Sequence, residues 1–62
     1  MNAINFRKHD LVEVTTDNGT TAYGTVVRID PTTDNVLVLI DGERRPRWFV
    51  GSAVQDGLHM NV

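Results

Sequence analysis

The chain has 62 residues, enough for one small domain with one hydrophobic core, so we predict a single domain over residues 1–62 with residues 1–5 flexible. It contains no cysteine, which excludes disulfide bonds and thiolate metal sites, and its two histidines lie far apart, so we expect no metal and no cofactor. Eight acidic and six basic residues give a net charge of −2, which argues against the strongly basic kind of nucleic-acid-binding protein.

Short apolar runs rich in Val, Ile and Thr, separated by turn residues, indicate β-strands rather than helices. The first strand is predicted over residues 11–16, where apolar and polar side chains alternate. Asn18-Gly19 predicts a tight turn, because both residues tolerate positive φ angles. The second strand is predicted over residues 21–30, and Gly24 predicts a bulge or sharp bend within it.

Residues 30–35 are predicted to form a turn, because Pro, Asp and Asn favour turns and the aspartates lack the spacing of a calcium loop. The next run is wholly apolar and indicates a third strand with two faces to bury: Val36, Leu37, Val38, Leu39 and Ile40. A barrel of this size buries one face in its own core. The other face needs a cover, which is either the N-terminal segment with Ile4 and Phe6 or a second copy of the protein. The second alternative makes these five residues an oligomer interface.

Asp41-Gly42 predicts another tight hairpin, followed by a fourth strand that carries Glu43-Arg44-Arg45-Pro46-Arg47-Trp48-Phe49 and ends at Val50. Alternate residues of a strand share a face, so Trp48 and Val50 compete with Phe49 for the core. We predict Trp48 and Val50 inward, because that set has more apolar members. The outward strip then consists of Arg45, Arg47 and Phe49, with Arg28 nearby across the sheet.

Residues 51–55 suit one turn of 3₁₀ helix capped by Ser52, and residues 58–62 alternate as a fifth strand. Five short antiparallel strands with a 3₁₀ turn before the last predict an all-β fold, closed or nearly closed into a small barrel. Closure is expected because it removes the unpaired strand edges of a small sheet.

Two stretches resemble the SH3-like barrel shared by KOW, Tudor and related small bacterial domains. FRKHDLVEV at residues 6–14 is similar to the opening F-x-x-G-D-x-V-x-V, and His9 stands in place of its glycine. YGTVVRI at residues 23–29 is similar to x-G-x-V-x-x-I. The resemblance covers about residues 6–62 and implies a five-stranded SH3-like barrel. It implies no single function, because such barrels bind nucleic acids, ribosomes, methylated side chains, proline-rich peptides and one another.

The residues favour a non-enzymatic binding or adaptor module that acts through protein–protein contacts, including self-association. A single-chain enzyme is not expected, because Ser52 has no histidine at motif spacing and no cysteine is present. An oligomeric enzyme with a shared pore, as in the type II dihydrofolate reductases, stays open. No apolar run approaches the roughly 18 residues that span a bilayer, and the N-terminus has no signal-peptide core. We therefore expect a cytoplasmic protein with no membrane partner.

The predicted binding residues are Arg28, Arg45, Arg47 and Phe49. Arginine pairs with phosphate or carboxylate groups, and aromatic rings stack on nucleic-acid bases. The strip therefore suits an acidic protein surface, and its alternative is a nucleic-acid-binding regulatory protein that uses the same basic and aromatic side chains. A third interpretation is a solvated strand face with cross-strand ion pairs.

Overall fold

A computed structural model describes residues 2–57, which form five β-strands and two short 3₁₀ turns. The strands are β1 (Leu11–Thr15), β2 (Thr21–Asp30), β3 (Asn35–Ile40), β4 (Arg47–Val50) and β5 (Val54–Asp56). The 3₁₀ turns are Ala3–Asn5 and Gly51–Ala53. The all-β prediction is confirmed, and the described part of the chain contains no helix that could cross a membrane.

All five strands belong to one antiparallel sheet with the order β4-β3-β2-β1-β5. In this order β4 pairs only with β3, and β5 pairs only with β1, across residues 2–57. The sheet is therefore not closed into a barrel in the part of the chain that the structure describes. The SH3-like barrel stays a prediction.

The 3₁₀ turn predicted over residues 51–55 is shorter in the structure, and a strand outside the predicted ones follows it. The second 3₁₀ turn ends at Ala53, and Val54 already belongs to β5, where it pairs with Val14 of β1. The strand predicted over residues 58–62 lies outside the described residues. The predicted capping role of Ser52 is wrong, because Ser52 lies inside the 3₁₀ turn, which begins after Val50 without a side-chain cap.

Strand β2 is long because it pairs with β1 along its first part and with β3 along its second. The predicted irregularity is present, but the pairing shifts between Val26 and Arg28, beyond Gly24. Gly24 has another role, since a Cβ there would collide with the Leu39 carbonyl oxygen. Glycine thus allows β2 and β3 to approach closely, and the bulge follows it.

One face of the sheet holds the core, which is built almost entirely from β-branched side chains. Its buried members are Ala3, Val12, Val14, Val26, Val36, Val38, Ile40 and Val54, and Phe6, Ala22, Ile29 and Phe49 pack against them. β-Branched residues suit strands because they pack well on a pleated surface. The same alternation that buries one set places the intervening residues on the opposite face, which we call the outer face.

The N-terminal segment docks against the core side through Asp34. One carboxylate oxygen of Asp34, Oδ1, accepts the backbone N–H groups of Asn2 and Ala3, both at 2.7 Å. Ala3 is fully buried, and Phe6 packs against the same core. Ile4 is 59% exposed. The N-terminal segment is thus engaged with the core side of the sheet, which leaves the outer face of β3 to another cover.

Candidate functional site

Strand β3 divides its five apolar residues between the two faces. Val36, Val38 and Ile40 are buried in the core, whereas Leu37 and Leu39 alternate with them and are half-buried. Three of the five residues predicted as an oligomer interface are therefore buried in the chain's own core. A partner that meets the outer face would contact Leu37 and Leu39.

The predicted orientation of β4 is wrong. Phe49 pairs opposite Val36 and packs against the core, whereas Trp48 and Val50 are 49% and 59% exposed. The register with β3 causes this arrangement, because residues directly opposite each other in a sheet share a face. Trp48 stands opposite Leu37 and so points outward with it.

The β2 bulge places one charged residue in this outer row. Val26 faces the core opposite Val38, and regular alternation from Val26 would turn Arg28 inward. The extra residue of a bulge resets the alternation, so Arg28 stands opposite Leu37 on the outer face. Arg28, Leu37 and Trp48 thereby form one continuous row across β2, β3 and β4.

The outer apolar surface, as we use the term below, consists of Leu37, Leu39, Trp48 and Val50. Leu37 and Leu39 lie two residues apart on β3, and Trp48 and Val50 lie two residues apart on β4, so all four share one face. Trp48 and Val50 lie on an edge strand of the described sheet. Within the row of Arg28, Leu37 and Trp48, Arg28 is the one charged residue.

The other predicted binding residues do not lie together on this face. Arg45 is exposed in the segment before β4, whereas Arg47 and Phe49 lie on the core side of β4. Arg47 Cζ lies 5.4 Å from the centre of the Phe49 ring, and Arg47 Nε lies 3.2 Å from Glu43 Oε1. Arg47 is thus engaged within the chain by a cation–π contact and an exposed ion pair, which is worth about 0.2–1 kcal/mol.

An open groove of about 330 Å³ separates the edge strand β4 from the end of β1. Its lining comprises Thr15, Asp17, Arg47, Trp48, Phe49, Val50 and Ala53. Trp48 and Val50 therefore belong both to this groove and to the outer apolar surface.

The two aspartates of the β2–β3 turn stabilise the fold: Asp30 Oδ1 accepts the N–H of Thr32 at 3.0 Å, and Asp34 holds the N-terminal segment. Within residues 2–57 no three histidine or acidic side chains converge as a metal site would require.

No protein-family model matches the chain, and neither the curated proteins nor the solved structures give a significant match. The sequence predicted Phe49 as the outward aromatic residue and Trp48 as a core residue, and the structure shows the reverse. The signal that could have corrected this prediction is the wholly apolar third strand, since the apolar members of β4 opposite its outward leucines extend the same face.

Proposed function

We propose that the chain is a non-enzymatic protein-interaction module that associates with a second copy of itself through the outer apolar surface. The observation that carries the proposal is the exposure of Trp48 and Val50, at 49% and 59%, beside Leu37 and Leu39 on one face. Clustered apolar side chains in water are unfavourable, and such patches mark protein interfaces. Tryptophan is among the residues most enriched at the energetic centres of interfaces.

A second copy suits this surface because an apolar face can be buried against the same face of another copy. Two sheets that bury their apolar faces against each other form a sandwich, with side chains interdigitating across a layer about 10 Å thick. A two-fold dimer uses the same patch on both subunits, so one apolar patch is sufficient. Four apolar residues cover less than the roughly 800 Å² per partner of a standard interface, so we expect a weak dimer with a dissociation constant of about 10–100 μM.

Association can be measured with the protein's own fluorophore, since Trp48 is the one tryptophan in the sequence. We expect the emission of Trp48 to shift to shorter wavelength as the protein concentration rises from about 1 to 500 μM, because dimerisation removes the indole from water. Sedimentation equilibrium over the same range should give a mass that rises from one chain to two. A mass of one chain throughout contradicts the proposal.

Variants test the surface directly. Leu37→Lys and Leu39→Lys should each yield a folded monomer, because a buried unpaired ammonium opposes association but the side chain can reach water in the monomer. Thr21→Lys is the matched control, since Thr21 is exposed at the start of β2, away from Leu37 and Leu39. It should dimerise like the wild type. A Leu37→Lys protein that dimerises normally would exclude this face as the interface.

Nucleic acid is the competing occupant, because an exposed tryptophan can also stack on a base while an arginine of the same face binds phosphate. The same sedimentation experiment, repeated at low salt with a random single-stranded oligonucleotide, separates the two. The proposal expects no complex. Formation of a monomer–oligonucleotide complex that weakens steeply with salt would overturn it in favour of a nucleic-acid-binding protein.

We also propose that this sheet is of the SH3-like barrel type. The support is the order β4-β3-β2-β1-β5, a long bulged β2 shared by β1 and β3, and a 3₁₀ turn immediately before the last described strand. A crystal structure of the chain tests it. Strands that curl round until the two edges meet would support the assignment, and a flat open sheet would contradict it.

The proposed site of action is the cytoplasm. Its support is the absence of cysteine from a small domain, because small secreted domains usually depend on disulfides. Fractionation of the source cells with an antibody against the chain tests it. Recovery outside the cytoplasmic fraction would contradict the proposal.

A further inference from the structure

The outer row that crosses β2, β3 and β4 has different chemistry at its two ends. Arg28 stands at the β2 end, the half-exposed indole of Trp48 stands at the β4 end, and Leu37 lies between them. Adjacent strands are about 4.8 Å apart, so the two ends are separated by roughly 10 Å. Arg28 forms no ion pair within residues 2–57.

We infer that the dimer is held by two reciprocal contacts, each between the Arg28 guanidinium of one copy and the Trp48 indole of the other. This inference depends on the proposed self-association. Two facing sheets can be related by a two-fold axis parallel or perpendicular to β3. The parallel axis places β2 of one copy over β4 of the other, whereas the perpendicular axis would place Arg28 over Arg28 and bring like charges together. With the parallel axis, Leu37 meets the partner's Leu37, and the two ends of the row exchange places.

The contact between Arg28 and Trp48 also compensates the cost of burying the Arg28 charge in the interface. A guanidinium buried against a purely apolar partner would lose its hydration without compensation, which is costly. The face of an indole attracts a cation, and arginine is the cation that most often occupies such a position. The chain already contains one contact of this kind, between Arg47 and Phe49. A bulge that turns Arg28 outward therefore supplies an anchor rather than an obstacle.

A double-mutant cycle measures the inferred contact. Sedimentation equilibrium gives the dimer dissociation constant of the wild type, Arg28→Ala, Trp48→Leu and the double variant. We expect Arg28→Ala to weaken the wild-type dimer roughly tenfold, since two cation–π contacts are lost. In the Trp48→Leu background, which keeps an apolar side chain but no aromatic face, the same change should cause no further weakening.

Controls separate the contact from general effects of charge and from loss of fold. Arg44→Ala removes an arginine from the exposed turn before β4 and should leave the dimer unchanged. Arg28→Lys, which keeps the charge, should fall between the wild type and Arg28→Ala. Circular dichroism establishes that each variant retains its strands. A dimer that Arg28→Ala leaves unchanged or tightens, or an equal loss in both backgrounds, overturns the inference. A wild-type protein that stays monomeric overturns the proposed function itself.

Discussion

His9 occupies a turn position whose backbone conformation favours glycine. Its φ is 79°, in the left-handed region that glycine prefers, and the resemblance to the SH3-like opening expects a glycine there. The turn is firmly held, because the His9 N–H donates to the Val26 carbonyl at 2.8 Å and Asp10 Oδ2 accepts the Arg7 N–H at 2.8 Å. The surrounding hydrogen bonds therefore stabilise a backbone conformation that histidine itself disfavours.

Replacing His9 by glycine should raise the free energy of unfolding by about 0.5–1 kcal/mol. Relief of the left-handed conformation contributes about 1–2 kcal/mol, and the greater freedom of glycine in the unfolded chain offsets about 0.5–1 kcal/mol of it. Urea denaturation of the purified variant measures the change. Lys8→Gly, in the same turn but without a positive φ, is the control and should lose stability. Equal losses in both variants would contradict the argument.

Asp34 links the chain's acid stability to its N-terminal segment. The Asp34 carboxylate accepts hydrogen bonds from the N–H groups of Ala3 and Asn2. These bonds, that of Ala3 most strongly, hold the pKa of Asp34 below its usual range. A lowered folded pKa means that the contribution of Asp34 is complete above about pH 4, the ordinary value for aspartate, and is lost as the pH falls through the folded pKa.

Asp34→Asn should therefore lower the melting temperature at pH 7, and the gap to the wild type should close progressively below pH 4. Thermal melts followed by circular dichroism from pH 7 to pH 2 measure this gap. Asp41→Asn, at an exposed turn, is the control for replacing a surface aspartate. A gap for Asp34→Asn that stays constant down to pH 2 would rule out the charge of Asp34 as its cause.

At the scale of the elements, β4 is the strand whose faces have separate functions. Its inward Phe49 completes the core, and its outward Trp48 extends the apolar surface of β3. Alternation along four residues defines two faces but does not say which of them is inward. The pairing of Phe49 with the buried Val36 decides it.

Phe49→Ala should lower the free energy of unfolding by about 2–3 kcal/mol, somewhat less than a fully buried phenylalanine, since the ring is half-buried. Trp48→Ala should cost about 1–2 kcal/mol in the monomer, less than Phe49→Ala, because nearly half of that side chain already meets water. Urea denaturation near 1 μM, where the monomer dominates, compares the two. A larger loss of unfolding free energy for Trp48→Ala than for Phe49→Ala would indicate that Trp48, not Phe49, faces the core.

At the scale of the whole molecule, the small core would connect stability to the proposed self-association. A chain of this length buries only about 60% of its unfolded surface, so a modest dimer interface is a substantial addition. Anything that binds the folded state alone raises its apparent stability by mass action.

The melting temperature of the wild type should therefore rise by a few degrees between about 5 and 500 μM protein. Differential scanning calorimetry across this range measures it. The Leu37→Lys variant, which lacks the partner, should melt at the same temperature throughout. Concentration-independent melting of the wild type would be inconsistent with a folded dimer.

The sequence by itself determined the all-β class, the positions of the first three strands and the turns between them, because apolar alternation and turn chemistry are local. It also showed that β3 has two apolar faces. The tertiary structure decided which residue of β4 faces inward, where the bulge turns Arg28, and that β5 begins at Val54. These features depend on which residues of one strand are paired with which residues of its neighbour. A register or a bulge is a relation between two strands, and the pattern of either strand alone does not contain it.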